Sequence, residues 1–431
     1  MEEDIKGFSI GEAIAEAKRC LKCGKPQCRA GCPIENDIPA FNLALSLGNI
    51  GEARSIISQR SNLPAICGRV CPHENQCEGH CILNNKGNPI KIGKLERFIA
   101  DFDAEYKLTK EKLAPKTRGK VAVIGSGPAG LTVAGDLARQ GFNVTVYEGE
   151  SEPGGVLLYG IPEFRLPKEI VRREVQNIAA LGVTFAMNTM VGDDITIDQM
   201  LDEQGFDAVF IGTGTALAKD LSLPGRELPG VIQSNYMLRM YRLFKDGKVG
   251  EDELPVTKDD DVIVIGAGNV AMDAARTSKR LLGAKSVTVA YRKTEEFMKA
   301  ARAEYDGAIE DGVVFRWETA PVEYVGTDGR LSGLKASTPQ GEIIVPATKI
   351  LLAIGSRPAA KVFSSTPGIE VDEAGYIKTK EHPYGMSTKK GVFAGGDIVH
   401  QPATVVLAMK EAKKVAVGIT NYIDAKKLLE Q

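Results

Sequence analysis

The sequence has no cysteine after Cys81, no long apolar run and no block of basic residues. A membrane-spanning helix needs roughly 20 apolar residues, so we expect no bilayer span. The formal net charge is −2, which argues against nucleic acid or an anionic membrane as a partner. The N-terminus is acidic and then amphipathic, without the apolar core of a secretory signal. We therefore expect a cytoplasmic location.

The length and composition describe an ordinary globular protein with several domains. Hydrophobic residues make up 43% and charged residues 26% of the 431 positions. A chain of this length exceeds what one hydrophobic core usually organises, and about three domains are expected.

The cysteines are concentrated in two runs near the start of the chain. Each run holds four cysteines separated by two to five residues, namely Cys20, Cys23, Cys28 and Cys32, then Cys67, Cys71, Cys77 and Cys81. Such spacing lets several thiolates converge on an iron–sulfur cluster, and two clusters are the favoured interpretation. Zinc is an alternative, because these spacings also suit tetrahedral sites and His73 and His80 lie between cysteines. A disulfide scaffold is disfavoured in a reducing compartment.

A first dinucleotide-binding pattern occupies residues 120–148. An apolar strand leads into Gly125-x-Gly127-x-x-Gly130 and a helical run, which would hold a pyrophosphate at the helix N-terminus. The next strand ends in Glu148, whose carboxylate can accept hydrogen bonds from ribose hydroxyls. The candidate contacts are Gly125, Gly127, Pro128, Ala129, Gly130 and Glu148.

A second pattern of the same kind begins at residue 261. Its loop supplies the candidate contacts Gly266, Gly268, Asn269 and Val270. The following strand runs into Arg292 and Lys293, with no acid where NAD would need one. Cations suit a 2′-phosphate, so NADP is favoured over NAD, and Arg302 is a further candidate contact. The alternative is that these three cations form an ordinary solvated surface.

The cysteine-containing segments resemble a known family. CLKCGKPQCRAGCPIENDIP, CGRVCPHENQCEGHC and GNPIKIGKLERF are similar to the N-terminal domain of the glutamate synthase small-subunit family. This family includes the large subunit of the electron-bifurcating NADH-dependent ferredoxin:NADP oxidoreductase, and dihydropyrimidine dehydrogenase shares the domain. The resemblance implies two 4Fe–4S clusters, one held by Cys32, Cys71, Cys77 and Cys81 and the other by Cys20, Cys23, Cys28 and Glu96. Cys67 is then left over, and the alternative for Glu96 is a surface position on its helix.

The flavin assignment rests on the same resemblance. Residues 154–167, GGVLLYGIPEFRLP, are similar to the flavin-contacting signature of the family, which implies FAD on the first loop. The further candidate contacts that this implies are Gly155, Val156, Tyr159, Arg165, Thr213, Gly214, Gly396, Asp397 and Thr404. A helix starting near Thr404 would direct its positive N-terminus towards the flavin.

Together these patterns predict an α/β fold with a helical iron–sulfur domain at residues 1–115. Two Rossmann-like domains of the pyridine nucleotide–disulfide oxidoreductase type follow. The FAD domain takes residues 116–224 and 349–431, and the NADP(H) domain is inserted at 225–348.

The predicted function is that of an NAD(P)H-dependent FAD and iron–sulfur oxidoreductase subunit. Hydride transfer between stacked rings needs no side-chain acid or base, so no catalytic residue is predicted. No cysteine follows Cys81, so the disulfide exit of similar reductases is absent and the clusters are the route to a partner. We expect an electron-bifurcating NADH/ferredoxin:NADP oxidoreductase-like complex.

Two alternatives remain at this point. One is the small subunit of NADPH-dependent glutamate synthase, and the other is an electron-transfer subunit without nucleotide turnover of its own. The expected partner is a ferredoxin-reductase-like flavin subunit, a glutamate synthase large subunit or a hydrogenase-like complex, with ferredoxin as a further candidate.

Overall fold

The computed structural model describes residues 7–111 and 113–429, and the acidic start of the chain, residues 1–6, lies outside them. The chain forms two compact units. The first contains the residues up to Leu157, Glu163–Ala216 and the residues from Arg357 onwards, and the second contains Leu158–Pro162 and Leu217–Ser356. No helix in the described ranges is long and apolar enough to cross a lipid bilayer.

The first unit begins with a helical segment. Its helices are α1 Ile10–Lys18, α2 Gln27–Gly31, α3 Ile38–Ser46, α4 Ile50–Ser58, α5 Pro64–Val70 and α6 Ile92–Tyr106. Pro39 lies in the first turn of α3, and the Asp37 side chain caps the helix by accepting a hydrogen bond from the Ala40 amide at 3.4 Å. Fully buried side chains such as Phe41 and Leu95 form the core of the segment.

Helices α5 and α6 pack with their backbones in contact. A Cβ added at Gly68 would lie 2.6 Å from the Arg97 amide nitrogen and 2.9 Å from the Gly93 carbonyl oxygen. Any side chain at Gly68 would therefore push the two helices apart. This contact fixes which residues of α6 lie beside the end of α5.

The flavin fold follows directly in the first unit. Its first elements are β1 Lys120–Ile124, α7 Pro128–Arg139, β2 Asn143–Tyr147, α8 Val156–Tyr159, α9 Lys168–Ala180, β3 Thr184–Ala186, α10 Ile197–Asp202 and β4 Ala208–Ile211. These strands are parallel, and Ile124 pairs with Tyr147 on one side and Ile211 on the other. All four residues of β4 are buried, as expected for a strand covered on both faces.

The second unit contains a parallel sheet and an antiparallel one. Its elements are β5 Leu217–Ala218, β6 Val231–Gln233, α11 Ser234–Lys245, β7 Asp261–Ile265, α12 Asn269–Arg276, β8 Ser286–Ala290, α13 Arg302–Glu310, β9 Val314–Arg316, β10 Ala320–Thr327, β11 Arg330–Thr338, β12 Gly341–Pro346, β13 Lys349–Leu352 and β14 Ser356–Arg357. The parallel sheet has the order β6-β13-β7-β8-β9, and β10-β11-β12 forms the antiparallel sheet. Strands β5 and β14 pair as a two-stranded ribbon.

The strand at residue 349 is placed differently from the sequence-based boundary. Residues from 349 onwards were expected to return to the FAD domain. Instead β13 lies between β6 and β7, and Leu351 pairs with Ile232 and Val264. Its buried apolar residues complete the core of the second unit, so the chain leaves this unit only after Ser356.

The last part of the chain completes the flavin sheet. It adds α14 Lys361–Ser364, β15 Thr379–Glu381, β16 Tyr384–Ser387, β17 Val392–Ala394 and α15 Val405–Leu429. The seven-stranded order is β15-β16-β17-β4-β1-β2-β3, and β17 is parallel to β4. The C-terminal ends of β1 and β4 thus lie beside the end of β17, where ligands of such sheets bind.

Candidate cofactor sites

The first glycine loop joins β1 to α7. Gly125 has a φ of +94°, and a Cβ there would lie 2.9 Å from the Gly212 carbonyl oxygen. A Cβ at Gly130 would lie 1.9 Å from the Gly125 carbonyl oxygen, so Gly130 lets the helix pack on the loop. Gly127 is different, because a Cβ there would meet no protein atom within 4 Å. The open space beside Gly127, at the N-terminus of α7, fits a pyrophosphate.

Glu148 lies at the end of β2 and is held against this loop. Its Oε2 accepts hydrogen bonds from the Ser126 amide at 3.0 Å and from Ser126 Oγ at 2.5 Å. Ser126 Oγ also accepts a hydrogen bond from the Gly154 amide at 2.9 Å. A Cβ at Gly155 would lie 3.0 Å from Gly127 Cα. The loop, the acid and the second glycine pair therefore meet at one place.

The later FAD candidates lie near the same loop. Gly396 has a φ of +75°, and its Cβ would lie 2.8 Å from Cβ of Ala129 in the first turn of α7, which begins at Pro128. Burial raises the pKa of the adjacent Asp397 to about 6. The Asp397 carboxylate has no hydrogen-bond partner among the described residues, which fits a carboxylate that accepts hydrogen bonds from hydroxyl groups of a ligand. Thr404 caps α15, because its Oγ1 accepts from the Leu407 amide at 3.4 Å.

Thr213 and Gly214 follow β4. Thr213 Cα would lie 3.2 Å from a Cβ at Gly125, so the end of β4 adjoins the first loop. Gly214 has a φ of +64° and open space around its missing side chain.

The residues of the signature segment 154–167 are distributed along α8 and the turn after it. Val156 starts α8 and is 53% exposed, which leaves its side chain accessible to a ligand. Tyr159 ends α8, is buried, and falls in the short stretch grouped with the second unit. Arg165 is half-buried in the turn before α9.

The second glycine loop joins β7 to α12. Gly266 has a φ of +130°, and a Cβ there would lie 2.4 Å from the Ala353 carbonyl oxygen. Gly268 again faces open space, with no protein atom within 4 Å of an added Cβ. The pattern of one crowded and one open glycine repeats that of the first loop. It fits a second pyrophosphate at the N-terminus of α12.

The start of α12 is covered by the chain that precedes α13. Asn269 Oδ1 accepts a hydrogen bond from the Ala301 amide at 2.9 Å, and the Ala267 carbonyl accepts one from the Lys299 amide at 3.0 Å. Val270, the second residue of α12, remains 40% exposed beside the loop.

The three cations predicted to bind a 2′-phosphate differ in their surroundings. Arg292 and Lys293 are exposed at the end of β8, and Lys293 Nζ lies 4.9 Å from the Phe297 ring centroid. Arg302 instead forms ion pairs with Glu295 and Asp306, each at 2.8 Å. Arg292 and Lys293 are therefore better placed than Arg302 to contact a phosphate.

One set of cysteines lines a cavity in the helical segment. Its members are Cys20, Cys23, Cys28 and Cys81. Burial raises the pKa of the Cys28 thiol to about 11, and the neighbouring Cys20, Cys81 and Cys23 add to this effect. Four thiolates at this place are stable only beside a cationic centre, which fits an iron–sulfur cluster.

The other set contains Cys32, Cys71 and Cys77 together with Glu96. Burial raises the pKa of Cys32 to about 12, and the charges of Glu96 and Cys67 raise it further. The pKa of Cys77 is raised by burial and then by Cys32. A hydrogen bond with Cys67 is the first cause that raises the pKa of Cys71. Each of these groups therefore lies close enough to at least one other member of the set to raise its pKa.

This grouping differs from the ligand sets that the resemblance implies. Cys81 lies with the first three cysteines of the chain, and Glu96 lies with the second set. The physical reason is the packing of α6 on α5 through Gly68, which brings Glu96 beside Cys71 at the end of α5. Cys81 precedes a short 3₁₀ turn and lines the other cavity.

Glu96 is a buried residue, so the surface alternative for it is wrong. It is 8% exposed, and its Oε1 accepts a hydrogen bond from Asn36 Nδ2 at 3.4 Å. Burial raises its pKa to about 8, and the positive charge of Arg54 opposes this rise. A buried carboxylate with a weak hydrogen bond fits a metal-ligand position. Sequence reasoning missed Asn36 and Arg54, although Arg54 shares the buried side of α4 with Ala53.

Cys67 joins the second set to the flavin fold. It is buried in α5, and its Sγ lies 3.6 Å from Sδ of Met409 in α15. Ion pairs reinforce this junction, since Asp101 of α6 binds Arg69 at 2.6 Å and Arg173 of α9 at 2.7 Å. The helical segment and the flavin fold therefore meet beside the second cysteine set.

None of the eight cysteines, all within the described residues, is in a disulfide. Within residues 7–111 and 113–429, no three His, Cys, Asp or Glu side chains converge on the position of a single ion.

Two family models match this chain, one in the helical segment and one in the flavin and nucleotide parts. Residues 1–108 match the family model described as dihydropyrimidine dehydrogenase domain II, 4Fe–4S cluster, and residues 119–412 match pyridine nucleotide–disulphide oxidoreductase. The glutamate synthase [NADPH] small chain of Escherichia coli (strain K12) is 37% identical over 446 residues, covering 98% of this chain and 94% of that protein. The chain belongs to the glutamate synthase small-subunit family.

Other members of this group carry different names. The NAD-dependent dihydropyrimidine dehydrogenase subunit PreT of Escherichia coli (strain K12) is 34% identical, covering 98% of this chain and 97% of that protein. The NADP(+)-dependent formate dehydrogenase subunit beta of Moorella thermoacetica is 34% identical, covering 92% of this chain and 60% of that protein.

A solved structure supports the fold of the flavin and nucleotide parts. FprA from Mycobacterium tuberculosis, in complex with NADPH, is 19% identical with a TM-score of 0.58, covering 73% of this chain and 86% of that one. The predicted fold class is therefore confirmed.

Family membership and the geometry of both glycine loops agree on the cofactors. The protein is an NAD(P)H-dependent FAD and iron–sulfur oxidoreductase that uses FAD, NADP(H) and two 4Fe–4S clusters. The iron–sulfur prediction is confirmed, and the zinc alternative is not supported.

Proposed function

We propose that the chain is the NADP(H)-linked subunit of a larger redox complex and exchanges electrons with a partner through the two cysteine sets. When bound, FAD exchanges a hydride with NADP(H) and single electrons with the clusters. The observation that carries the proposal is the contact of Cys67 with Met409, which joins the second cysteine set to the flavin helix α15. Cys20, Cys23, Cys28 and Cys81 would hold one cluster, and Cys32, Cys71, Cys77 and Glu96 the other.

The partner would dock beside the first cysteine set. Leu21 is 60% exposed and Ile82 is 53% exposed, and both line the cavity that contains these cysteines. Lys22 and Lys25 are exposed beside them. An apolar centre with a basic margin suits a partner surface that has an acidic margin. This position is also where single electrons would leave or enter the chain.

The first candidate complex is an electron-bifurcating NADH/ferredoxin:NADP oxidoreductase. The form of residues 154–167 and the buried Glu96 beside three cysteines support it. The partner would then be a ferredoxin-reductase-like flavin subunit, with ferredoxin as the external carrier. A cytoplasmic location agrees with eight cysteines that form no disulfide.

The second candidate is the small subunit of NADPH-dependent glutamate synthase. It is supported by the E. coli relative of that name, because the match extends over 94% of its length. Its partner would be the glutamate synthase large subunit. Relatives named as subunits of formate and dihydropyrimidine dehydrogenases support the broader idea that such chains serve different partners.

Affinity purification of the chain from its native cells, followed by mass spectrometry, tests both candidates. We expect one stoichiometric redox partner, and its identity decides between the two complexes. The variant Leu21→Glu/Ile82→Glu should lose this partner and keep NADPH-dependent reduction of a viologen dye. Leu47→Glu is the matched control, because Leu47 is 69% exposed on the same helical segment but does not line the cavity.

Two outcomes would contradict the proposal. Full retention of the partner by Leu21→Glu/Ile82→Glu would remove this surface as the docking site. A wild-type protein that reduces the dye with neither NADPH nor NADH would be a passive electron carrier.

A further inference from the structure

A second cavity, of about 430 Å³, lies where the end of α4 meets α7 and α15. We call it the junction cavity. Its lining residues are Ser58, Gln59, Arg60, Asp136, Arg139, Gln140, Lys413, Lys414 and Val417. The first three belong to the helical segment and the others to the flavin fold. The cavity therefore spans the junction between these two parts of the first unit.

More cations than anions line the junction cavity. Four of its lining residues are cationic and one, Asp136, is anionic. Asp136 is already engaged, since its carboxylate binds Lys413 Nζ at 2.8 Å and Asn62 Nδ2 at 2.8 Å. The chain as a whole has a net charge of −2, so this concentration of cations is a local feature. Converging cations repel one another unless an anion joins them.

The remaining carboxylates near the cavity satisfy two of the cations. Arg139 Nε binds Glu111 at 2.6 Å, and Lys414 Nζ binds Glu411 at 3.1 Å. Neither of these acids is a lining residue. They hold the two cations in place and leave the interior of the cavity without a negative group apart from Asp136.

Two donors in the cavity have no protein acceptor. Arg60 is exposed, and its guanidinium has no hydrogen-bond or ion-pair partner among the described residues. The Gln140 Oε1 accepts a hydrogen bond from Thr420 Oγ1 at 2.9 Å, which identifies the other side-chain atom as the NH₂ donor. Within the described part of the chain this NH₂ group donates to no residue. Arg60 and Gln140 thus offer unfilled donors to one space.

We propose that the junction cavity is a binding site for a small organic polyanion that carries two or three carboxylate or phosphate groups. Arg60 supplies an unpaired charge, Lys413 and Lys414 add cations that already share one carboxylate each, and the Gln140 amide supplies a directional hydrogen bond. Val417 is the one apolar side chain among the described lining residues, so a nucleobase or an acyl chain would find little to pack against.

The junction cavity is separate from the cofactor loops. The FAD loop lies at the N-terminus of α7, whereas Arg139 is its last residue, twelve positions along the helix. At 1.5 Å per residue the two ends are roughly 18 Å apart. The NADP(H) loop belongs to the second unit, and no lining residue of the cavity does. The proposal is therefore independent of the redox function and of its partner.

A bound polyanion would join the iron–sulfur segment to the flavin fold. Arg60 follows the end of α4, whereas Lys413 and Lys414 lie on α15. An anion shared by both sides stabilises the folded protein in proportion to its occupancy, because only the packed state presents all of these donors. Binding should therefore raise the thermal midpoint of the protein.

Isothermal titration calorimetry of the FAD-loaded and iron-loaded protein tests the proposal. Citrate and pyrophosphate are the two probes, and saturating NADP⁺ keeps pyrophosphate away from the nucleotide loop. At constant ionic strength we expect one saturable site, and the tighter probe tells whether carboxylates or phosphates are preferred. Arg60→Gln should weaken binding about tenfold, since one charged hydrogen bond is lost. The same variant should lose most of the thermal shift.

Lys380→Gln is the matched control, because it removes one exposed positive charge outside the cavity. It should leave the affinity unchanged. The proposal is overturned if neither probe gives saturable binding to the wild-type protein at concentrations up to about 10 mM. A site with a Kd of about 1 mM would already be mostly occupied at that concentration. It is also overturned if Arg60→Gln and Lys380→Gln bind equally well. Arg60 is exposed, so its replacement leaves the fold intact and the comparison holds.

Discussion

Serine variants of Cys20 and Cys81, made singly and together, test which cysteines share a cluster. Both side chains line the same cavity, so each single variant should lose one 4Fe–4S cluster. The iron content should fall from about eight to about four atoms per chain. The double variant Cys20→Ser/Cys81→Ser should lose no more, because the second substitution removes a ligand of a cluster that is already absent.

A second pair gives the opposite expectation. Cys71 and Cys81 lie in different sets, so Cys71→Ser/Cys81→Ser should retain almost no iron. Iron is measured by mass spectrometry per bound FAD, and EPR of the reduced protein identifies the cluster that remains. If Cys20→Ser/Cys81→Ser loses all iron and Cys71→Ser/Cys81→Ser loses half, the grouping of Cys81 with Cys20 is refuted.

Cys67 and Glu96 complete this test as a matched pair of buried residues. Cys67 contacts Met409 and is not assigned as a ligand, so Cys67→Ser should keep about eight iron atoms. Glu96→Ala should lower the iron content by up to four atoms or change the EPR signal of one cluster, with FAD still bound. The reverse result would make Cys67 the fourth ligand of the second set.

Four further predictions concern the flavin and nucleotide sites. Gly130→Ala should destabilise the protein by about 3 kcal/mol in thermal unfolding, because the new Cβ meets the Gly125 carbonyl oxygen at 1.9 Å. Gly127→Ala should leave the apoprotein stable and lower FAD occupancy, measured by absorbance, since its Cβ meets only the ligand space; equal loss of stability would contradict this. Arg292→Ser/Lys293→Ser should raise KM for NADPH about 10- to 100-fold without a similar change for NADH, and parallel changes would remove the 2′-phosphate role. Burial raises the pKa of Asp397 to about 6, so folding favours its protonated form and ionisation costs stability as pH rises through this value. Asp397→Asn should therefore stabilise FAD-free protein above pH 6, by at most about 3 kcal/mol, and weaken FAD binding; unchanged melting at pH 8 would contradict the first part.

The local patterns in the sequence were sufficient for the dinucleotide loops. A strand, a tight turn and a helix within about ten residues predict that an added Cβ would clash at the first glycine and meet open space at the second. Gly125 and Gly127 show this arrangement. The start of α3 and the start of α15 were likewise set by neighbouring residues, Asp37 and Thr404. In these cases the interactions that decide the structure are close in the sequence.

The remaining features depend on contacts between distant residues. The sequence of β13 predicts a buried strand but does not indicate the sheet to which it belongs. Only its pairing with β6 and β7 assigns it to the second unit. The placement of Cys81 in one set and of Glu96 in the other depends on how α6 packs on α5. The spacing of the cysteines in the sequence carries no information about this packing. The ion pairs that engage Arg302 were equally hidden, because the phosphate role was inferred from its position after β8 alone.

Gly68 has a consequence that reaches beyond helix packing. It is the point where the backbone of α5 touches that of α6, at Gly93 and Arg97, and Arg97 directly follows the buried Glu96. Because Gly68 has no side chain, α5 and α6 can pack closely. This close packing sets the distance between the Glu96 carboxylate and the three cysteines of the second set. A chain with alanine at this position would keep every predicted ligand and still hold them at the wrong separation. We therefore expect the spacing of the second cysteine set and Glu96 to depend on a residue that offers no ligand atom itself.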